Sequence, residues 1–209
     1  MVILSHRGYW KAESEKNTLA AFERSFKLGF GTETDVRDLN GRLVISHDPP
    51  RGDPISFEAF LKSYRNANID QPLALNIKAD GLQSMLMAEL QKHGILKYFL
   101  FDMSVPDMVT SLRYQLPVYT RHSDVESTPV LYENATGVWM DSFQMDWITE
   151  KSILEHIQNG KEVCVVSPEL HGRNEASLWQ KLKALHNSTT RNLMLCTDKP
   201  EEALEYFNE

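Results

Sequence analysis

Cysteine is nearly missing from this chain: Cys164 and Cys196 are its only two, both in apolar runs and far from any Cys-x-x-Cys spacing. They read as buried structural thiols and suit a reducing compartment. Long hydrophobic runs are missing too. No segment approaches the ~20 apolar residues of a membrane span, so stable membrane insertion is not expected. Met1-Val2-Ile3-Leu4 has no basic residues and its apolar run stops at His6, which is no signal peptide; the expected location is cytoplasmic. Positive charge is not in excess. With 22 Lys and Arg against 29 Asp and Glu, the net charge of -7 argues against nucleic acid or anionic lipid as a partner. A local basic pocket could still hold one phosphate. No Gly/Ser/Pro-rich linker interrupts the chain, and nothing in it signals an oligomeric state.

What the chain does have is a regular alternation. Its 209 residues, 42% hydrophobic and 24% charged, can build one sizeable core. Apolar runs at 2–5, 31–36, 43–46, 73–78, 98–101, 117–120, 137–141, 162–166 and 192–196 read as strands. Amphipathic stretches lie between most of them. Thr18–Leu28 puts Leu19, Phe22 and Phe26, with Leu28, on one face, and Asn17 or Thr18 is its N-cap. Leu82–His93, Ile148–Gln158, Glu175–His186 and Pro200–Phe207 continue the pattern. Taking 31–36 and 43–46 as one strand plus a hairpin leaves eight β/α units. The expectation is a single α/β domain over 1–209, a small (β/α)8 TIM barrel.

The first fifty residues carry the chemistry. Val2-Ile3-Leu4-Ser5 runs into His6-Arg7-Gly8, Gly31-Thr32 into Glu33-Thr34-Asp35, and Leu43-Val44-Ile45-Ser46 into His47-Asp48. In a barrel, strand C-terminal ends converge on one face and supply the catalytic groups. Glu33 and Asp35 are two apart on a strand and point the same way. Burying two like charges is costly unless a cation neutralises them. A hard divalent ion, Mg²⁺ or Ca²⁺ ahead of Mn²⁺ or Zn²⁺, is the economical explanation; the alternative is a solvent-exposed acidic hairpin. His6 and His47 are the candidate general acid and base. Arg7 offers a fork to a phosphate and Lys78 a point charge. Structural alternatives are an Arg7–carboxylate pair and a Lys78 strand cap. The other histidines lie mostly on helices or loops, with His93, His156 and His186 expected at the surface. This combination suits phosphodiester cleavage.

In order and spacing, these residues resemble the glycerophosphodiester phosphodiesterase family, within the superfamily of phospholipase-C-like phosphodiesterases. That family carries a His-Arg-Gly, an Asn-Thr helix start, a Glu-x-Asp, a His-Asp and a strand ending in Glu-x-Lys. Here the matching segments are His6-Arg7-Gly8, Asn17-Thr18-Leu19-Ala20-Ala21-Phe22, Glu33-Thr34-Asp35, His47-Asp48 and Asn76-Ile77-Lys78. Thr197-Asp198-Lys199-Pro200 resembles the family's closing strand and helix start. The resemblance implies a metal-dependent hydrolase of glycerophosphodiesters or a related small phosphodiester. A neighbouring substrate hydroxyl would attack first, and a cyclic phosphate would then be hydrolysed. A lyase that stops at the cyclic phosphate and a catalytically weak barrel that binds a phospho-ligand are the alternatives.

Two departures matter. Lys16 stands where the family has Glu before Asn-Thr, and Asn76 stands where it has a third metal carboxylate. An amide oxygen can ligate a hard cation but adds no charge. Glu169, after Val165-Val166-Ser167-Pro168, is the first candidate to supply the missing carboxylate, ahead of Asp141. Lys16 is either solvated or neutralises an extra anionic group on the ligand. Tyr9, Trp10, Trp139 and Phe143 are the aromatics that could meet the alcohol. Only about twenty-five residues separate His47 from Leu73, so any insertion there is short. That predicts an open mouth or a small substrate.

Overall fold

Strands and helices alternate as the apolar and amphipathic segments predict in the computed structural model, which describes residues 1–189 and 192–208. The strands are β1 (Val2–His6), β2 (Gly31–Leu39), β3 (Arg42–Ile45), β4 (Leu73–Ile77), β5 (Tyr98–Phe101), β6 (Tyr119–Ser123), β7 (Gly137–Asp141), β8 (Glu162–Val166) and β9 (Leu193–Thr197). The helices are α1 (Leu19–Lys27), α2 (Phe57–Ala67), α3 (Gln83–Lys92), α4 (Val105–Arg113), α5 (Glu150–Gln158), α6 (Ala176–Thr189) and α7 (Pro200–Asn208). The parallel strands follow the order β5-β4-β2-β1-β9-β8-β7-β6, and β3 pairs antiparallel with β2 off that path. This is a small (β/α)8 barrel. A 3₁₀ turn at Tyr132–Asn134 stands where a helix would join β6 to β7. No helix among the described residues is long and apolar enough to cross a membrane.

By its contacts the chain divides into two compact units, Ser5–Val118 and Met1–Leu4 with Tyr119–Glu209. In the first, α1 and α2 pack through a run of aromatics. Phe22 meets Phe60 edge-on at 4.6 Å, and Phe26 meets Tyr64 at 5.4 Å. Such pairs add roughly 0.5–1.5 kcal/mol each beyond their buried area. The residues between His47 and Leu73 thus hold a helix rather than an insertion. Ser56 caps it through the Ala59 N–H, and Phe57, Phe60, Leu61 and Tyr64 repeat at helical spacing. Ser104 caps α4 in the same way. Leu28, by contrast, lies beyond the end of α1 and is exposed, because the chain has already left the helical phase.

In the second unit both cysteines are fully buried. The β6 strand extends to Ser123, three residues past the expected end. Its parallel ladder to β7, Tyr119↔Gly137 through Ser123↔Asp141, carries polar side chains that an apolar-run criterion misses. Gly137 is required there. A Cβ on it would lie 2.5 Å from the Tyr119 ring and 2.7 Å from the Glu162 carbonyl.

His156 and His93 are not at the surface as expected. His156 is 8% exposed and His93 is also largely buried, because each sits on the inward side of its helix end. The His186 side chain lies outside the described residues. His156 joins a chain of hydrogen bonds: its Nε2 is 2.9 Å from His122 Nδ1, and its Nδ1 is 2.9 Å from the Tyr132 hydroxyl. A backbone bond to Ser127 takes the remaining His122 nitrogen as donor. The assignment satisfying every atom runs Tyr132 O–H to His156, His156 N–H to His122, and His122 N–H to the Ser127 carbonyl. Both imidazoles are neutral in that arrangement.

Burial, then His122, holds the His156 imidazole down to about 4, against a weaker opposing pull from Glu155. A depressed histidine contributes stability that is complete above its unfolded value near 6.5 and declines as pH falls toward 4. The thermal midpoint should therefore drop between pH 7 and pH 4.5. His156→Gln should flatten that part of the curve; an unchanged slope would show the relay is not neutral.

Candidate active site

Catalytic-looking groups gather in the Ser5–Val118 unit, and the β1–α1 loop begins the site. Arg7 and Asn17 both sit in left-handed backbone, at φ 57° and 60°, which is uncommon for residues with a side chain. They are locked together by the Asn17 N–H on the Arg7 carbonyl, at 2.9 Å. Gly8 must be glycine: at φ 81°, a Cβ would come within 2.8 Å of Ala21 on the first turn of α1. The cap of α1 is Thr18, which accepts from the Ala21 N–H. Asn17 is thereby free of capping and serves the site. Its Nδ2 donates to Asp35 Oδ2 at 2.8 Å, and its Oδ1 accepts from Thr34 Oγ1 at 2.9 Å.

Strand β2 brings the two expected carboxylates inside. Glu33 is 2% exposed and Asp35 is fully buried, which replaces the exposed-hairpin alternative. Both sit mid-strand, because β2 runs on into a hairpin with β3 through the left-handed Asn40 and Gly41. The return strand carries His47 back down: Ser46 N–H donates to the Asp35 carbonyl at 3.0 Å. His47 remains half-exposed, with Nδ1 2.9 Å from Asp48 Oδ1. In the neutral ring that bond takes the Nδ1 proton and leaves Nε2 as an acceptor. His6 Nε2 lies 3.9 Å from Glu33 Oε2.

Arg7 and Lys78 both face Asp35. The Arg7 Nε is 3.0 Å from Oδ2, although its N–H is not aligned on that oxygen, and Lys78 Nζ is 3.4 Å from Oδ1. The Arg7–carboxylate pairing weighed from sequence is present in the structure. Arg7 N–H also donates to Glu33 Oε2 at 3.2 Å. Burial, followed by repulsion from Asp35, pushes the Glu33 carboxyl well above the usual range, against the pull of Arg7 and Lys78.

The residues fit a hard cation on one observation in particular. Asp35 and Asn76 are register partners on β2 and β4, and Oδ1 of each is buried with no hydrogen-bond donor. Lys78 meets Asp35 Oδ1 only as an ion pair at 3.4 Å without a hydrogen bond, and two acceptor-only oxygens in this state are costly unless a better-placed cation or donor joins them. Asn76 is held by its other end, Nδ2 lying 3.4 Å from Asp102 Oδ2. The sequence reading passed over Asp102 and took Asn17 only as a candidate helix cap and motif residue. Asp102 follows the run Tyr98-Phe99-Leu100-Phe101 directly, the same signal that marks His6.

In the other unit Glu169 is anchored at β9. Its Oε1 accepts from Thr197 Oγ1 and, at 3.1 Å, from the Asp198 N–H, while Oε2 is buried without a donor. Asp141 instead pairs with His171 at 2.7 Å, and Phe143 meets that ring edge-on. Asp141 is therefore already committed. Among the described residues, one trio of carboxylate and imidazole groups has its donor atoms within 4.8 Å, namely Glu58, Glu89 and His93. Lys92 and Lys62 lie 3.0 and 3.1 Å from Glu58 Oε1, so this is an ion-pair network bracing α2.

No protein-family profile and no curated protein sequence matches the chain. Solved structures match it over its whole length. A Galdieria sulphuraria protein described as a glycerophosphodiester phosphodiesterase is 17% identical with a TM-score of 0.80, over 100% of this chain and 98% of its own. A glycerophosphodiester phosphodiesterase from Agrobacterium tumefaciens is 17% identical with a TM-score of 0.73, covering 100% of both. An Oleispira antarctica phosphodiesterase, in complex with its product sn-glycerol-3-phosphate, is 15% identical with a TM-score of 0.74, over 100% and 97%. The fold is that of the glycerophosphodiester phosphodiesterases. The first-eighty-residue motifs read from sequence thus sit on the fold they implied.

Because the metal-free protein binds more protons at Glu33 than the unfolded chain does, its stability should decline as pH rises above the ordinary carboxylate range near 4.5. Millimolar Mg²⁺ or Ca²⁺, which needs the carboxylate ionised, should then raise the thermal midpoint more at pH 8 than at pH 5. Equal shifts at both pH values would separate Glu33 from cation binding.

Proposed function

We propose that the chain is a divalent-cation-dependent phosphoric diester hydrolase acting on glycerophosphodiesters or a closely related small phosphodiester, built as one catalytic domain. The observation that carries this reading is the pair of donorless oxygens on Asp35 and Asn76 beside buried Glu33, with Arg7, Lys78 and His6 around them. Glu33, Asp35 and Asn76 would hold the cation. Mg²⁺ or Ca²⁺ suits the all-oxygen set better than Mn²⁺ or Zn²⁺. When bound, such an ion lowers the pKa of a coordinated hydroxyl and offsets charge on the phosphoryl oxygens.

The side chains divide the remaining work. Arg7 and Lys78, which flank Asp35, are the cations that would meet the phosphate. Arg7 binds two phosphoryl oxygens and Lys78 one. His47, with Nδ1 tied to Asp48, presents Nε2 to accept the proton of the attacking hydroxyl. His6, beside Glu33, would donate a proton to the departing alkoxide. Reversing the two roles hydrolyses a cyclic intermediate by the same geometry.

His6→Ala and His47→Ala should each lower turnover of a chromogenic phosphodiester by roughly 10²–10⁴-fold, and EDTA should remove it. Losses under about fivefold at both positions would end the acid–base assignment. Phosphorus NMR of a glycerophosphodiester digest should show glycerol phosphate accumulating, with any cyclic phosphate transient. A stable cyclic phosphate with no monoester would make the enzyme a lyase instead.

A further inference from the structure

The loop between β1 and α1 carries a second feature that the reaction does not use. Trp10 is half-buried, and its indole N–H donates to the His6 carbonyl at 3.2 Å, so the ring is fixed beside the proposed acid. The Lys16 ammonium rests over that ring, 4.4 Å from its centroid. The next residue, Asn17, is tied to Asp35 and Thr34, which holds the Lys16 backbone at the rim of the same site. Glu15 is occupied elsewhere, accepting from the Lys11 N–H and from Arg24 at 2.9 Å. The carboxylate nearest Lys16 is Glu13, at 3.5 Å and 85% exposed. An i,i+3 pair this exposed holds the ammonium weakly, so a ligand anion can replace it.

A flat indole with a cation on its face, next to the group that protonates the leaving alcohol, is a surface for part of that alcohol. The indole supplies contact area along a polyol or carbon chain. The ammonium supplies one directional requirement, a negative charge at the end of it. Lysine suits this task because its charge is compact and its stem lies along the ring. A cationic alcohol such as choline would meet Lys16 as a like charge.

We propose that Trp10 and Lys16 form the alcohol subsite and select phosphodiesters whose alcohol carries a second anionic group, a phosphate or a carboxylate. This rests on the phosphodiesterase reading above and sharpens its substrate class.

The test is a matched pair of diesters, glycerophosphoglycerol and the same compound phosphorylated on its far glycerol. The wild-type kcat/KM should favour the phosphorylated diester by about tenfold or more, the scale of one hydrogen bond to a charged group. Lys16→Gln should bring that ratio to near one, Lys16→Arg should keep it, and Lys16→Glu should invert it. A ratio near one in the wild type, or one untouched by Lys16→Gln, overturns the subsite. If neither diester is cleaved, the parent reading fails on its own, and calorimetry with the same pair judges the subsite separately. Tighter binding of the phosphorylated diester that Lys16→Gln abolishes supports it, and equal affinities overturn it.

Discussion

Two carboxylates buried two residues apart on one strand are the constraint around which the Ser5–Val118 unit is arranged. An isolated ionised carboxylate in an apolar interior is expensive, and a second one beside it more so. The surrounding chain answers that cost locally. Arg7 adopts left-handed backbone and places its guanidinium beside Asp35, while its own N–H reaches Glu33. Asn17 spends its side-chain amide on Asp35 and Thr34 rather than on capping α1. Lys78, at the end of β4, supplies the second cation. The arrangement is still incomplete, since buried oxygens on Asp35 and Asn76 have no donor. An incompletely satisfied polar cluster in an otherwise closed core is a physical mark of a ligand site.

Much of this was legible from residue order. Eight β/α units, His6, His47 and Lys78 at or just past strand ends, and the absence of a large insertion all followed from residue order, whereas Glu33 and Asp35 lie mid-strand because β2 runs on to Leu39. The helices α2 and α4 were not singled out, although Ser56 and Ser104 mark their starts. Strand β6 ran longer than its apolar run because ladder hydrogen bonds do not depend on side-chain polarity. His156 and His93 were misjudged for a related reason. Helix position was taken to mean solvent, whereas His156 found hydrogen-bond partners that make burial tolerable and His93 lies against Glu89 and Glu58.

The departures from the family pattern acquire meaning only in three dimensions. Asn76 looked like a lost charge. In the fold it is a polarised amide, one end on Asp102 and the other, donorless, beside Asp35. Lys16 looked like a solvated loop residue, yet it lies on an indole anchored to His6. Asp141, an attractive substitute for the third carboxylate, is taken by His171, and Glu169 keeps one buried oxygen without a donor.

The sequence by itself determined the alternation of strand and helix and the set of ionisable groups on and beside the strands, because both are written in local periodicity. Tertiary structure decided which partner each polar group takes. Whether Asn17 caps a helix or holds a carboxylate, and whether Arg7 faces solvent or Asp35, depends on what residues far along the chain bring within hydrogen-bond range. Those pairings are set by strand register and burial, and neither can be read from one segment alone.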